Sequence, residues 1–151
     1  MTTPRTRSAF IGYPVDRLLA VLDDPIDAER AATALVAAGI LARDITILRG
    51  DAGAARLDGT GATHGRLERI RRIVSFTLMD QLPDMAWYEQ AVRRGAAVLI
   101  VRVRGGESKG TAVAKLRANG AHFINHYGRF ATEEIERWRG PEPDVPNLLK
   151  R

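Results

Sequence analysis

The sequence contains no cysteine. Disulfides, thiolate metal centres and cysteine nucleophiles are therefore excluded. Small secreted domains are commonly stapled by disulfides, so a reducing, cytoplasmic setting fits better. No window approaches the roughly 20 consecutive apolar residues that a membrane span needs. The basic N-terminal run Met1 to Ser8 is not followed by an apolar stretch of signal-peptide length, so no membrane partner is expected. The common catalytic signatures are missing too: there is no Gly-x-Ser-x-Gly, no His-Glu-x-x-His and no convincing pair of carboxylates. Ser75 and Ser108 have no histidine close in sequence. The chain therefore leans away from an enzyme, and it announces no cofactor.

What is present is enough for a core. Hydrophobic residues make up 45% of the 151 residues and charged residues 27%, a globular balance rather than a disordered one. The formal charge is +5, supplied mostly by arginine. Such an excess suits an anionic small molecule, a nucleic acid or a ribosome as partner. An Arg- and Ala-rich composition is also what a GC-rich genome produces.

The pattern along the chain predicts one domain over 17–139. Residues 1–16 form an arm and residues 140–151, with three prolines, an extended tail. Arg17 to Asp23 reads as an apolar strand. Asp24-Pro25 starts a helix, with Asp as N-cap and Pro at the first helical position. Ala28, Ala31, Ala32 and Leu35 mark its apolar face, and Gly39 ends it. Asp44 to Arg49 is a β-branched strand, completing a strand-helix-strand unit over 17–49. A second unit spans 97–130: strand Ala97 to Val103, a turn at Gly105-Gly106, a helix N-capped by Ser108 with Val113 and Leu116 on one face, Gly120 at its end, and strand His122 to Tyr127. Placing Leu18 on Leu99 and Gly39 on Gly120 needs no gap, and it matches Ala31 with Ala112, Leu35 with Leu116 and Ala37 with Ala118. Two such units predict an α+β, ferredoxin-like duplicated βαβ fold, with a four-stranded antiparallel sheet and both repeat helices on one face.

The insertion at 50–95 reads as a glycine-rich loop to Gly65 followed by a helical hairpin. Its first helix, Arg66 to Met79, carries Leu67, Ile70, Val74 and Leu78 on one side and arginines on another. Its second starts at Pro83-Asp84, carries Met85, Tyr88 and Val92 on one face and a Glu89–Arg93 pair, and ends at Gly95. The hairpin is expected to pack on the sheet or on a neighbouring subunit. Thr132 to Trp138, with acids in its first turn, predicts a short terminal helix.

Two clusters could carry chemistry. The first is Gly59 to Arg66. A glycine-rich loop entering a helix exposes backbone amides to an anion, with Thr63 as cap and His64, Arg66 and Arg69 close by. It matches neither the P-loop nor the dinucleotide fingerprint. The second is His122 to Arg129. Strand alternation places His122, Ile124 and His126 on one face and Phe123, Asn125 and Tyr127 on the other. The two histidines would then be about 13 Å apart along the strand, too far to share a metal ion without a bend. The candidate ligand-binding set is thus Thr63, His64, Arg66, Arg69, His126, Tyr127 and Arg129, with no catalytic and no metal residue. Arg69, Arg71, Arg72, Arg93 and Arg94 are the candidates for a nucleic-acid face. Trp87, Tyr88 and Trp138 read as packing or oligomer anchors.

Leu19 to Arg30 (LAVLDDPIDAER), Leu35 to Gly39 and Asp44-Ile-Thr-Ile47 resemble the bacterial general stress protein (YflT-like) domain. In that family a strand ending in acids leads to an Ala- and Glu/Arg-rich helix, a glycine and then Asp-Ile-x-Ile. Ala121 to Phe130 looks like the same arrangement in the second half. The resemblance implies a small stress-associated α/β protein and transfers no catalytic residue. The expected function is a non-enzymatic stress-associated or regulatory protein acting as a homo-oligomer through partner or ligand binding. Alternatives are a sensor of an anionic metabolite or nucleotide, and a nucleic-acid- or ribosome-associated basic protein.

Overall fold

The computed structural model describes residues 16–50, 81–128 and 131–143. Thr63, His64, Arg66, Arg69, Arg71, Arg72 and Arg129 lie outside the described residues, as do most of the arm, the first insertion helix and the end of the tail.

The chain runs β1 (Arg17–Leu22), α1 (Pro25–Ala37), β2 (Ile45–Leu48), α2 (Gln81–Arg93), β3 (Ala97–Arg102), α3 (Gly106–Ala118), β4 (His122–Tyr127) and β5 (Thr132–Glu136). The strands form one antiparallel sheet in the order β2-β3-β1-β4-β5. The fold is α+β, with five strands among the described residues where four were expected. No helix of the described residues is long and apolar enough to cross a membrane.

Local chemistry explains the first helix. The Asp24 side chain accepts a hydrogen bond from the Ile26 N–H at 2.9 Å, Pro25 follows it, and Asp27 sits in the positive first turn. The helix ends before Gly39, whose φ is +100°. At α3 the cap differs from the sequence expectation. Gly105, not Ser108, is the N-cap, and no side chain caps the helix there. Ser108 stands inside the first turn. The helix α1 and the helix α3 begin and end at the same separation as Leu18 and Leu99.

The sheet separates two cores. On one face Leu18, Ala20, Leu22, Leu99, Val101 and Ile124 meet Ala28, Ala31 and Leu35 of α1 and Ala112, Val113 and Leu116 of α3. On the other face Leu19, Val21, Leu48, Val98, Ile100, Phe123 and Tyr127 meet Met85, Trp87, Tyr88 and Val92 of α2. The second insertion helix therefore covers the sheet face opposite the other two helices. It already includes Gln81, so Pro83 falls within it rather than before it. Glu89 pairs with Arg93, Oε2 accepting from Nε at 3.0 Å.

Two expectations fail for the same reason, competition between local pattern and strand pairing. Thr132 to Glu136 is strand, not helix: Thr132 pairs with Tyr127, Glu133 with His126 and Glu134 with Asn125. Glutamates near an N-terminus suggest a helix, but the edge of β4 offers the backbone a ladder, and tertiary pairing overrides propensity. The side chains agree. Ile135 packs with the α1–α3 core and Trp138 with the α2 core. Residues three apart lie on opposite faces of extended chain and on one face of a helix. The second failure is the placement of His122 with His126. Val21 pairs with His122 while Leu19 pairs with Asn125, so β4 carries one extra residue, a bulge at Phe123. Phe123 has φ +48°, and the bulge turns His122 to the α2 face, away from His126.

Candidate functional site

Beneath α2 lies a buried polar network. The Tyr88 hydroxyl stands 3.0 Å from the Leu19 carbonyl and 2.8 Å from the Phe123 carbonyl, and it accepts from Asn125 Nδ2 at 2.8 Å. One hydroxyl hydrogen serves two carbonyls here. The Phe123 carbonyl is available because the bulge removes it from the β1 ladder, while the Phe123 N–H donates to the Arg137 carbonyl at 2.9 Å. The Tyr127 hydroxyl donates to Asp84 Oδ2 at 2.9 Å. Burial, with Tyr88 and Asp84 alongside, pushes the Tyr127 hydroxyl well above its ordinary pKa. Asn125 Oδ1 and Trp87 Nε1 have no hydrogen-bond partner among the described residues. Trp87, Tyr88 and Trp138 surround Phe123, with ring centroids 5.5, 4.8 and 5.4 Å away. Such ring pairs contribute roughly 0.5–1.5 kcal/mol each beyond area burial, which offsets the left-handed backbone at Phe123.

His122 acts as a clasp. Its Nδ1 accepts from the Arg139 N–H at 3.0 Å, so the proton of a neutral ring sits on Nε2, which faces Asp23 Oδ1 at 2.8 Å. Both ring nitrogens are occupied in tying the end of β5 to the end of β1. The ring also stacks edge-on against Trp138 at 5.0 Å.

The second site is open. Where β1 begins and β3 and β4 end, Asp16, Arg102, Val103, Arg104, Gly105, Gly106, Lys109 and His126 line a cleft of about 550 Å³. That volume suits a small metabolite. Asp16 bridges the strand ends: its N–H donates to the Tyr127 carbonyl at 2.6 Å, and its carbonyl accepts from the Val103 N–H at 3.0 Å. Gly105 has φ +145° and ψ 174°, a conformation essentially restricted to glycine. It turns the chain from β3 straight into α3, so the first amides of α3 are left without a side-chain cap at the cleft.

Three cationic residues line the cleft. Arg104 is held by Asp44 through two bonds of 3.1 and 3.2 Å, and Lys109 by Glu133. Arg102 is exposed and has no ion-pair partner among the described residues. His126 is held below its ordinary pKa, first by burial and then by Lys109, against the opposing pull of Glu133 and Asp16. The hydrogen bond from Lys109 holds the Glu133 carboxyl below the usual carboxylate range, and His126 adds to this. Gly128 keeps the turn after β4 tight beside His126: a Cβ there would meet the Ala131 carbonyl oxygen at 3.1 Å.

Of the sequence candidates, His126 lines the cleft and Tyr127 does not. Consecutive residues of β4 point to opposite faces, and Tyr127 is fully buried under α2. The structure adds Asp16, Arg102, Arg104, Gly105, Gly106 and Lys109, which sequence reading passed over. Arg-Gly-Gly after a buried strand was the available signal. Its meeting with His126 is a tertiary event. Among the nucleic-acid candidates that are described, Arg93 and Arg94 are both exposed, and Arg93 is paired with Glu89. The fold and cleft together describe an α+β chain with a basic cleft at one end of its sheet. Comparison with family models, curated proteins and solved structures returned no match.

Proposed function

We propose that this chain is a non-enzymatic, stress-associated or regulatory cytoplasmic protein that binds an anionic small molecule in the Arg102–Lys109–His126 cleft and self-associates. The observation that carries the reading is the cleft itself, lined by Arg102, Arg104, Lys109 and His126 beside the uncapped start of α3, with Arg104 and Lys109 steadied by Asp44 and Glu133 and Arg102 without an ion-pair partner among the described residues. The resemblance of the first half to the general stress protein domain supports the stress association. The strand order of the first four strands, with β5 added outside β4, supports a duplicated ferredoxin-like plan.

The ligand class is set by the chemistry. Arginine and lysine side chains beside free helix amides favour phosphate or carboxylate groups. His126 adds a pH dependence. It is largely neutral above its ordinary pKa of 6.5 and gains a proton as pH falls below it. Anion affinity should therefore rise as pH drops from 7.5 toward 5.5.

The test is a thermal-shift and calorimetric panel of inorganic phosphate, nucleoside mono- and diphosphates and citrate. At least one member should raise Tm and bind more tightly at lower pH, and Arg102→Ala with Lys109→Ala should abolish the shift. A panel in which no anion moves the wild-type Tm at millimolar concentration defeats the proposal.

A further inference from the structure

We propose that β2 is a dimerisation edge, at which a second copy of this chain adds its own β2 antiparallel to extend the sheet. The two ends of the sheet are treated in opposite ways. β5 carries Glu133, Glu134 and Glu136, and charge on an edge strand blocks the addition of another chain. β2 is Ile-Thr-Ile-Leu, with no charge, proline or glycine, and among the described residues it pairs only with β3. Apart from its shortness, four residues, it carries within itself none of the features that protect an edge.

Beside that edge runs an apolar groove of about 520 Å³, lined by Ala32, Val36, Ala37, Ala42, Ile45 and Ile47. Val36 is 48% exposed and Leu41, at the start of the turn into β2, 49%. At the opposite edge the chain fills the corresponding place itself. There β5 lies along β4 and inserts Ile135 into the α1–α3 core. The occupant that repeats this device at β2 is a strand with apolar residues at alternate positions.

A second β2 meets that requirement. Directly opposed residues of an antiparallel pair share a face, so a two-fold axis through Thr46 places Ile45 against Ile47 of the second copy, and the reverse. Four isoleucines then close the grooves of both copies, with Val36 of each lying over them. The strand ends are compatible with this register. Arg43 stands in the 3-10 turn Ala42–Asp44 rather than in the strand, and the charge of Arg49 past the other end is met by Glu29 at 2.9 Å. The inference rests on the self-association in the functional reading and locates it. The two fail separately, because ligand titration reads the cleft and solution mass reads the edge.

The absence of cysteine makes the test clean. Light scattering on the full chain at about 100 µM should give twice 16.6 kDa. Val36→Glu, at an exposed position, should weaken association at least about tenfold with the circular dichroism spectrum unchanged. Thr46→Cys should form a disulfide-linked dimer on mild oxidation, because directly opposed residues lie within disulfide reach. Glu134→Cys, on the protected edge, should not. A monomer at 100 µM overturns the proposal. So does a dimer that survives Val36→Glu while Thr46→Cys cross-links no more than Glu134→Cys.

Discussion

The two faces of the sheet are held by different means. Toward α1 and α3 the contacts are small and aliphatic: alanines at 28, 31 and 112 let the helices approach closely, and leucines at 18, 35, 99 and 116 fill between them. Toward α2 the contacts are large, aromatic and partly polar, with Tyr88, Asn125, Tyr127 and Asp84 hydrogen-bonded in the interior. An aliphatic core tolerates exchange of side chains of equal volume. A buried polar network does not, because removing one partner strands the others. The face toward α2 is therefore the more specific of the two, and the one where a single atom matters.

The largest effect that sharpens this contrast is at Phe123, where the bulge and the aromatic cluster coincide. Phe123→Ala should cost about 3–5 kcal/mol in urea unfolding, since it leaves a large void and keeps the left-handed backbone. A cost below about 1.5 kcal/mol would mean that the ring is not central to that core. Next comes the loss of one oxygen. Tyr88→Phe should cost about 1–3 kcal/mol by leaving two carbonyls and the Asn125 amide short of a partner. Leu116→Met, a volume-conserving exchange on the aliphatic face, should cost less than about 1.5 kcal/mol. Equal costs for the two variants would break the comparison. The smallest effect is a titration. The Tyr127 pKa is raised in the folded chain, so the unfolded chain loses this proton first. Stability is full below the ordinary value of 10.0 and falls as pH rises through and above it. Melting curves between pH 8 and 11 should show that decline in the wild type, and a shallower one in Tyr127→Phe.

Much of the aliphatic face was legible in the sequence. Asp24-Pro25, the alanine spacing in α1 and Gly39 are local signals, and each is answered by a local structure. The aromatic face was legible only in part. Alternation along β4 correctly grouped Phe123, Asn125 and Tyr127, but no pattern of residue types distinguishes a bulged strand from a regular one. The register slip that moves His122 is decided by what Phe123 finds under α2. The terminal segment shows the same limit. Glutamates and an Ile-x-x-Trp spacing satisfy a helix, and only the open edge of β4 makes them a strand. The cleft joins the turn after β3 to the end of β4, and a cap formed by bare backbone leaves no side-chain signature to read. Five of the seven sequence candidates for a ligand site, Thr63, His64, Arg66, Arg69 and Arg129, fall outside the described residues.

The placement of the indoles has an optical consequence. The sequence holds two tryptophans, Trp87 and Trp138, and their rings lie 5.3 Å apart at right angles on the α2 side of the sheet. Intrinsic fluorescence of this protein is thus a one-sided gauge. It reports the loosening of α2 and the end of β5, and it is blind to α1 and α3, whose melting must be followed by helical ellipticity instead.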